Sequence, residues 1–159
     1  MGNDSVHEDW QATGTGRYLD GRIKSLILDL TAPRAGERLL DIGCGNGNHL
    51  SLFRKKGCDV TGLDPSPLML DQARQRLEHR ADLRQGRAED LPFSDNEFDI
   101  VTLITSLEFV DNPDRAVAEA IRVCRGRVFI GVMNRYSLIG TQGRLKALFH
   151  PPIDAKARF

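Results

Sequence analysis

The chain has 159 residues, 40% apolar and 28% charged, with Lys+Arg and Asp+Glu balanced at 22 each. That composition fits one globular domain and gives no charge excess of the kind that draws nucleic acid or an anionic membrane. Cys44, Cys58 and Cys124 lack metal-ligand spacing, no apolar run reaches membrane-spanning length, and residues 1–16 are polar, so a reduced, cytoplasmic, metal-free protein is expected.

The first periodic segment is Arg17 to Leu30, with Leu19, Ile23, Leu26, Ile27 and Leu30 at helical spacing. Leu39 to Ile42 follows as a short apolar strand. Asn48 to Gly57 reads as a helix burying Leu50 and Phe53, and Cys58 to Leu63 as a second strand. Ser66 caps a helix with Pro67 at its first position, and Met69, Ala73 and Leu77 are expected on its inner face. Asp82 to Gln85 is a weak third strand and Glu97 to Ile104 a strong fourth. Asn112-Pro113 caps a further helix with Ala116, Val117, Ala120, Ile121 and Cys124 inward. Gly126 ends it, and Val128 to Met133 forms the fifth strand. Strands alternating with helices predict an α/β fold, a doubly wound parallel sheet with right-handed crossovers.

Leu39-Leu40-Asp41-Ile42-Gly43-Cys44-Gly45-Asn46-Gly47 is the most informative stretch. A strand entering a glycine turn and then a helix presents free N–H groups and a positive dipole end at the turn. Asp64 closes the next strand, where a carboxylate can accept both hydroxyls of a ribose. Gly43, Asp64 and the residues after Gln85 and Ile104 converge on the carboxyl edge of the sheet, the usual ligand edge of such folds. The pattern describes a nucleoside pocket. The dinucleotide spacing G-x-G-x-x-G fails, because position 48 is Asn.

Four blocks occur in order: Glu37 to Gly45, Asp64 to Leu70, Ala88 to Phe93 and Asn96 to Val101. Together they resemble the class I S-adenosylmethionine-dependent methyltransferases, in particular the type 11 family that resembles the enzymes methylating quinone precursors. The resemblance implies a Rossmann-like sheet of strand order 3-2-1-4-5 and S-adenosylmethionine as cofactor. It implies that Gly43 and Gly45 pass under the methionine part, with Asp41 fixing the loop and the amino group. Asp64 would take the ribose hydroxyls, Pro65 and Met69 would pack on adenine, and Ala88 would offer a backbone N–H to the ring. Thr105 would line the transfer site. Met69 equally fits a core position, and Thr105 a strand-end surface position.

Two departures stand out. Family members often carry Asp just before that Ala, accepting from the adenine amino group. Arg87 stands there and has no acceptor; Glu89 could substitute. The family fold also resembles a seven-stranded sheet, and the 25 residues after Asn134 show no two strand patterns. The expectation is therefore an N-terminal segment over 1–36, a binding core over 37–134, and a lid or truncated segment over 135–159. The sixth and seventh strands would be absent, and the exposed fifth strand would invite self-association.

Function is expected to be methyl transfer to a small-molecule acceptor, with no nucleic-acid or membrane partner. A non-catalytic S-adenosylmethionine-binding module and, more remotely, a nicotinamide-dependent oxidoreductase stay open. The sequence assigns no catalytic residue. His49, Glu108 and Tyr136 are the nameable bases should the acceptor be a hydroxyl.

Overall fold

The computed structural model describes residues 14–132, as one parallel five-stranded sheet with helices on both faces. In chain order the elements are α1 (Gly14–Thr31), β1 (Arg38–Ile42), α2 (Asn48–Arg54), β2 (Asp59–Asp64), α3 (Pro67–Arg76), β3 (Asp82–Gln85), β4 (Phe98–Ile104), a 3-10 turn (Leu107–Phe109), α4 (Pro113–Val123) and β5 (Cys124–Gly131). The strand order is β3-β2-β1-β4-β5, as the family resemblance implies. The central strands read as unbroken apolar runs because both their faces are covered; Leu39, Leu40 and Ile42 of β1 are fully buried, as are Ile100, Val101 and Leu103 of β4.

Two cores result. On one face Ile27 of α1, Leu50 and Phe53 of α2, and Leu70, Ala73 and Leu77 pack over Leu39, Val60 and Ile100. On the other, Ala116, Ala120 and Val123 of α4 pack with Leu91, Phe93 and Phe98 over Leu40, Ile42, Val101 and Leu103.

Several expectations need correction. Met69 is only half-buried, and Leu70 takes the core position of α3. The helix phase is set by Leu70, Ala73 and Leu77, which meet α2 and β2, so Met69 turns toward the carboxyl edge of the sheet. In α4, Ile121 is 60% exposed, because Ala116, Ala120 and Val123 already fill the contact with β4 and β5. Gly126 does not end that helix. The chain passes straight from Val123 into β5 at Cys124, and Gly126 lies inside the strand, where a Cβ would stand 2.3 Å from the Asp99 carbonyl oxygen. The β4–β5 register shifts at that point, between Phe98 and Ile100. Along α1 Ile27 is buried, while Ile23, Leu26 and Leu30 stay largely exposed. Residues 133–159, where the expected lid, the question of further strands and Tyr136 all fall, lie outside the described residues.

Candidate functional site

The carboxyl ends of β1, β2 and β4 open into a cavity of about 540 Å³ lined by Ile42, Gly43, Asp64, Pro65, Met69, Arg87, Ala88, Glu89, Thr105, Ser106 and the 109–111 segment. The sheet thus brings together Gly43, Asp64, Pro65, Met69, Ala88, Glu89 and Thr105 of the residues expected from sequence. Asp41 and Gly45 are not among the lining residues and sit immediately behind and beside them.

Asp64 organises the floor. Its Oδ2 accepts from the Gly45 N–H at 2.9 Å and its Oδ1 from the Ser66 N–H at 2.9 Å. The carboxylate therefore locks the glycine turn to the start of α3, and it lines the cavity with acceptor capacity left over. Ser66 in turn caps α3, its hydroxyl accepting from the Met69 N–H at 3.4 Å. The turn itself is pinned to β2, since the Gly43 and Cys44 N–H groups both donate to the Leu63 carbonyl.

Asp41 is wholly buried at the end of β1. Thr102 Oγ1 donates to its Oδ1 at 2.7 Å, while Oδ2 has no partner. Burial, with a smaller contribution from nearby Asp64, pushes its pKa up to about 7, the Thr102 hydrogen bond acting the other way. The buried hydroxyl of Ser106 is likewise unpartnered, and Ser106 lines the cavity. Two orphaned polar atoms beside a glycine turn are what a cavity built for a polar ligand leaves when described without it. An added Cβ at Gly45 would meet nothing within 4 Å, so there is room for a ligand against the backbone there. A nucleoside with a charged amino-acid tail fits this donor and acceptor set.

Thr105 follows the last residue of β4 at φ 52°, a left-handed conformation that a β-branched residue adopts only under constraint. Its N–H donates to the Gly131 carbonyl at 2.7 Å, which holds the strained residue between β4 and the end of β5. Strain of this kind concentrates at ligand sites.

The wall is held from outside. Glu119 Oε2 accepts from the Leu91 N–H at 2.8 Å, and Arg122 donates to the carbonyls of Phe93 and Leu91 at 2.8 and 3.1 Å. These two α4 residues fix the segment that carries Ala88 and Glu89. Glu89 is mostly a loop anchor, its Oε1 accepting from the N–H groups of Asp111 and Asn112 at 2.9 and 3.3 Å. Of the nameable bases, His49 is half-buried rather than exposed and is not among the lining residues; burial, aided by Lys24, depresses its pKa. Glu108 is exposed on the 3-10 turn. Cys44 is buried and its thiol is driven well above the ordinary range, chiefly by burial, so it is no nucleophile. Sequence reasoning missed Ser106, Phe109, Val110 and Asp111, which carry no motif and reach the cavity only through the turn after β4.

Fold and site define a nucleoside-binding α/β domain of the methyltransferase type. The sequence matches the type 11 family described as "Methyltransferase domain" over residues 40–130. An uncharacterised methyltransferase of Mycobacterium tuberculosis is 39% identical over 115 residues, covering 71% of this chain and 46% of the relative. The ubiquinone/menaquinone biosynthesis C-methyltransferase of Roseobacter denitrificans is 38% identical, covering 67% and 46%. A ubiquinone biosynthesis O-methyltransferase of Aromatoleum aromaticum is 35% identical, covering 92% and 68%. Among solved structures, the YcgJ protein of Bacillus subtilis superposes with a TM-score of 0.64 at 30% identity, covering 67% of this chain and 48% of that one. The [4+2]-cyclase SpnF gives 0.61 at 34%, covering 65% and 40%. The chain belongs to the type 11 methyltransferase-domain family, whose cofactor is S-adenosylmethionine. It spans about half the length of most of the curated relatives it matches. Among the described residues no helix is long and apolar enough to cross a membrane, and no three His, Cys, Asp or Glu residues cluster to hold a metal.

Proposed function

We propose that this chain binds S-adenosylmethionine on its 37–134 core and transfers the methyl group to a small cytoplasmic acceptor. The observation that carries the reading is Asp64, which grips the Gly45 and Ser66 N–H groups and keeps acceptor capacity toward a cavity of nucleoside size. In this reading Asp64 takes the ribose hydroxyls, Pro65 and Met69 flank adenine, and the Ala88 N–H meets the ring. Asp41, Gly43, Gly45 and Ser106 surround the amino-acid end, and Glu89 shapes the wall. When bound, the cofactor's sulfonium supplies an activated methyl group and a good leaving group. The protein's part is to orient the partners and exclude water, worth roughly 7–11 kcal/mol when alignment is good. Thr105 and Phe109 stand where an acceptor would enter, and no base is required of the chain unless the acceptor is a hydroxyl. The quinone-biosynthesis relatives make a phenol- or quinol-like acceptor the first class to screen.

A second reading, a binding module that does not transfer methyl, draws on the likeness to the [4+2]-cyclase. Calorimetry with S-adenosylhomocysteine, with NAD as control, followed by mass-spectrometric turnover assays on phenolic acceptors, separates the two. Hydrogen bonds to a carboxylate are worth about 1.5–3 kcal/mol. Asp64→Ala should therefore weaken S-adenosylhomocysteine binding about ten- to a hundredfold. Affinity unchanged by that substitution sinks the ribose assignment, and tight binding without turnover on any acceptor favours the module.

A further inference from the structure

Adenine presents a donor, its exocyclic amine, beside its ring-nitrogen acceptors. Given the cofactor reading above, the base lies along the wall that runs from Pro65 and Met69 to Arg87, Ala88 and Glu89. An acceptor for that amine is needed there. Arg87 offers only donors. Glu89 takes two backbone N–H groups and Arg87 Nη2 at 3.3 Å on Oε1, so its carboxylate is oriented by the 111–112 loop and keeps only Oε2 for a ligand.

The segment bonded to that wall supplies another carboxylate. Asp111 follows the 3-10 turn, lines the same cavity, and has an 83% exposed side chain. Arg87 Nη2 donates to its Oδ2 at 2.5 Å, while Oδ1 has no protein partner among the described residues. The cation at position 87 thus does not accept anything itself; it holds at the cavity lining a carboxylate with one oxygen free. The Glu89 hydrogen bond to the Asp111 N–H fixes the backbone of that residue, and Arg87 fixes its side chain.

We propose that Asp111, positioned by Arg87, accepts the exocyclic amine of the cofactor's adenine and so reads adenine against other purines. Arg87 is a positioning residue in this arrangement and touches the base only through Asp111. Because the pair is exposed, its hold is screened by salt, and preference for adenine should fall as ionic strength rises.

The test is calorimetry of the full chain with S-adenosylhomocysteine and with S-inosylhomocysteine, whose base carries a carbonyl in place of the amine. Asp111→Ala should weaken the adenine ligand about five- to tenfold and leave the inosine ligand unchanged or tighter. Arg87→Ala should shift the ratio in the same direction by less, with partial rescue by Arg87→Lys. Both side chains are exposed, so melting curves should match the wild type. Equal effects on the two ligands, no effect on either, or an amine-specific loss in Glu89→Gln with none in Asp111→Ala would overturn the proposal. A wild-type chain that binds neither ligand would sink the cofactor reading, and this one with it. Binding of the adenine ligand that ignores Asp111 would sink only the present inference.

Discussion

Asp41 combines full burial with an unpartnered oxygen, and its consequence for pH can be given a sign. Its carboxyl has a pKa near 3.8 when solvated and about 7 in the fold. The folded state therefore holds a proton that the unfolded chain has released between those values. This contribution to stability is intact below about pH 4 and is lost as pH rises toward 7. Its ceiling is about 4 kcal/mol, from a shift of roughly three pH units. Asp99 and Glu119 act in the other direction: Arg125 and Arg122 hold their carboxyls down at about 2, so their stabilisation is complete above about pH 4.5 and is lost as pH falls toward 2. The windows meet only in a narrow band near pH 4. Asp41→Asn should remove the decline between pH 4 and 7 in thermal melts, so that the variant gains on the wild type as pH rises. It should also weaken S-adenosylhomocysteine, whose ammonium would otherwise meet the ionised carboxylate. Melting curves that stay parallel across that range would refute the assignment. At this scale Asp64 was legible because a carboxylate at the end of a buried strand has few reasons to be there, and Asp41 through the family resemblance. Ser106 and Asp111 were not, since their place follows from how the turn after β4 packs rather than from their own chemistry.

The glycine turn separates structural from ligand-facing roles within one element. A Cβ on Gly43 would stand 2.5 Å from the Ser106 Cβ, and one on Gly47 would press on Ala73 and Leu77 at 3.1–3.2 Å. Those two positions are closed by the protein's own packing. Gly45, at φ 51°, faces open space. Gly45→Val should abolish S-adenosylhomocysteine binding while the domain still melts cooperatively, at a strain cost of about 1–3 kcal/mol. Gly47→Val should lower the melting temperature as well, because it meets the α3 core. Calorimetry and scanning fluorimetry on both variants separate the cases, and normal binding by Gly45→Val would reduce the turn to a purely structural one. Elements were legible where periodicity and caps agreed: β1, the Ser66-Pro67 start of α3 and the Asn112-Pro113 start of α4. They blurred at the α4–β5 junction because Gly126 reads as a helix stop, whereas here it is demanded by the Asp99 carbonyl beneath it. Helix phase also escaped pattern reading in α3, where Met69 and Leu70 are both apolar and only the position of β2 decides which is buried.

At the scale of the whole molecule, alternation and handedness gave a parallel doubly wound sheet and the family resemblance its strand order, but what covers the sheet's end did not follow from either. Among the described residues β5 pairs only with β4, so one row of its backbone donors and acceptors is open. Phe129 packs toward the α1 side, which places Val128 and Ile130 on the α4 side, where both are over a third exposed. Beside the edge, α1 shows Ile23, Leu26 and Leu30 at 48–60% exposure, spaced three and four residues apart as a helix seam. An eight-residue open strand flanked by an apolar helix seam is a template for association. We expect the 159-residue chain to self-associate through this edge, with β5 meeting its copy and α1 packing against the partner's seam. Light scattering over a concentration series should show a dimer or larger species. Ile130→Lys and Leu26→Glu should shift it toward monomer, since a charge on either surface is costly to bury unpaired. Both positions lie outside the cavity lining, so S-adenosylhomocysteine affinity should survive the substitutions. A wild-type chain that stays monomeric at every concentration, or substitutions that leave the assembly intact, would show that this edge is not the interface.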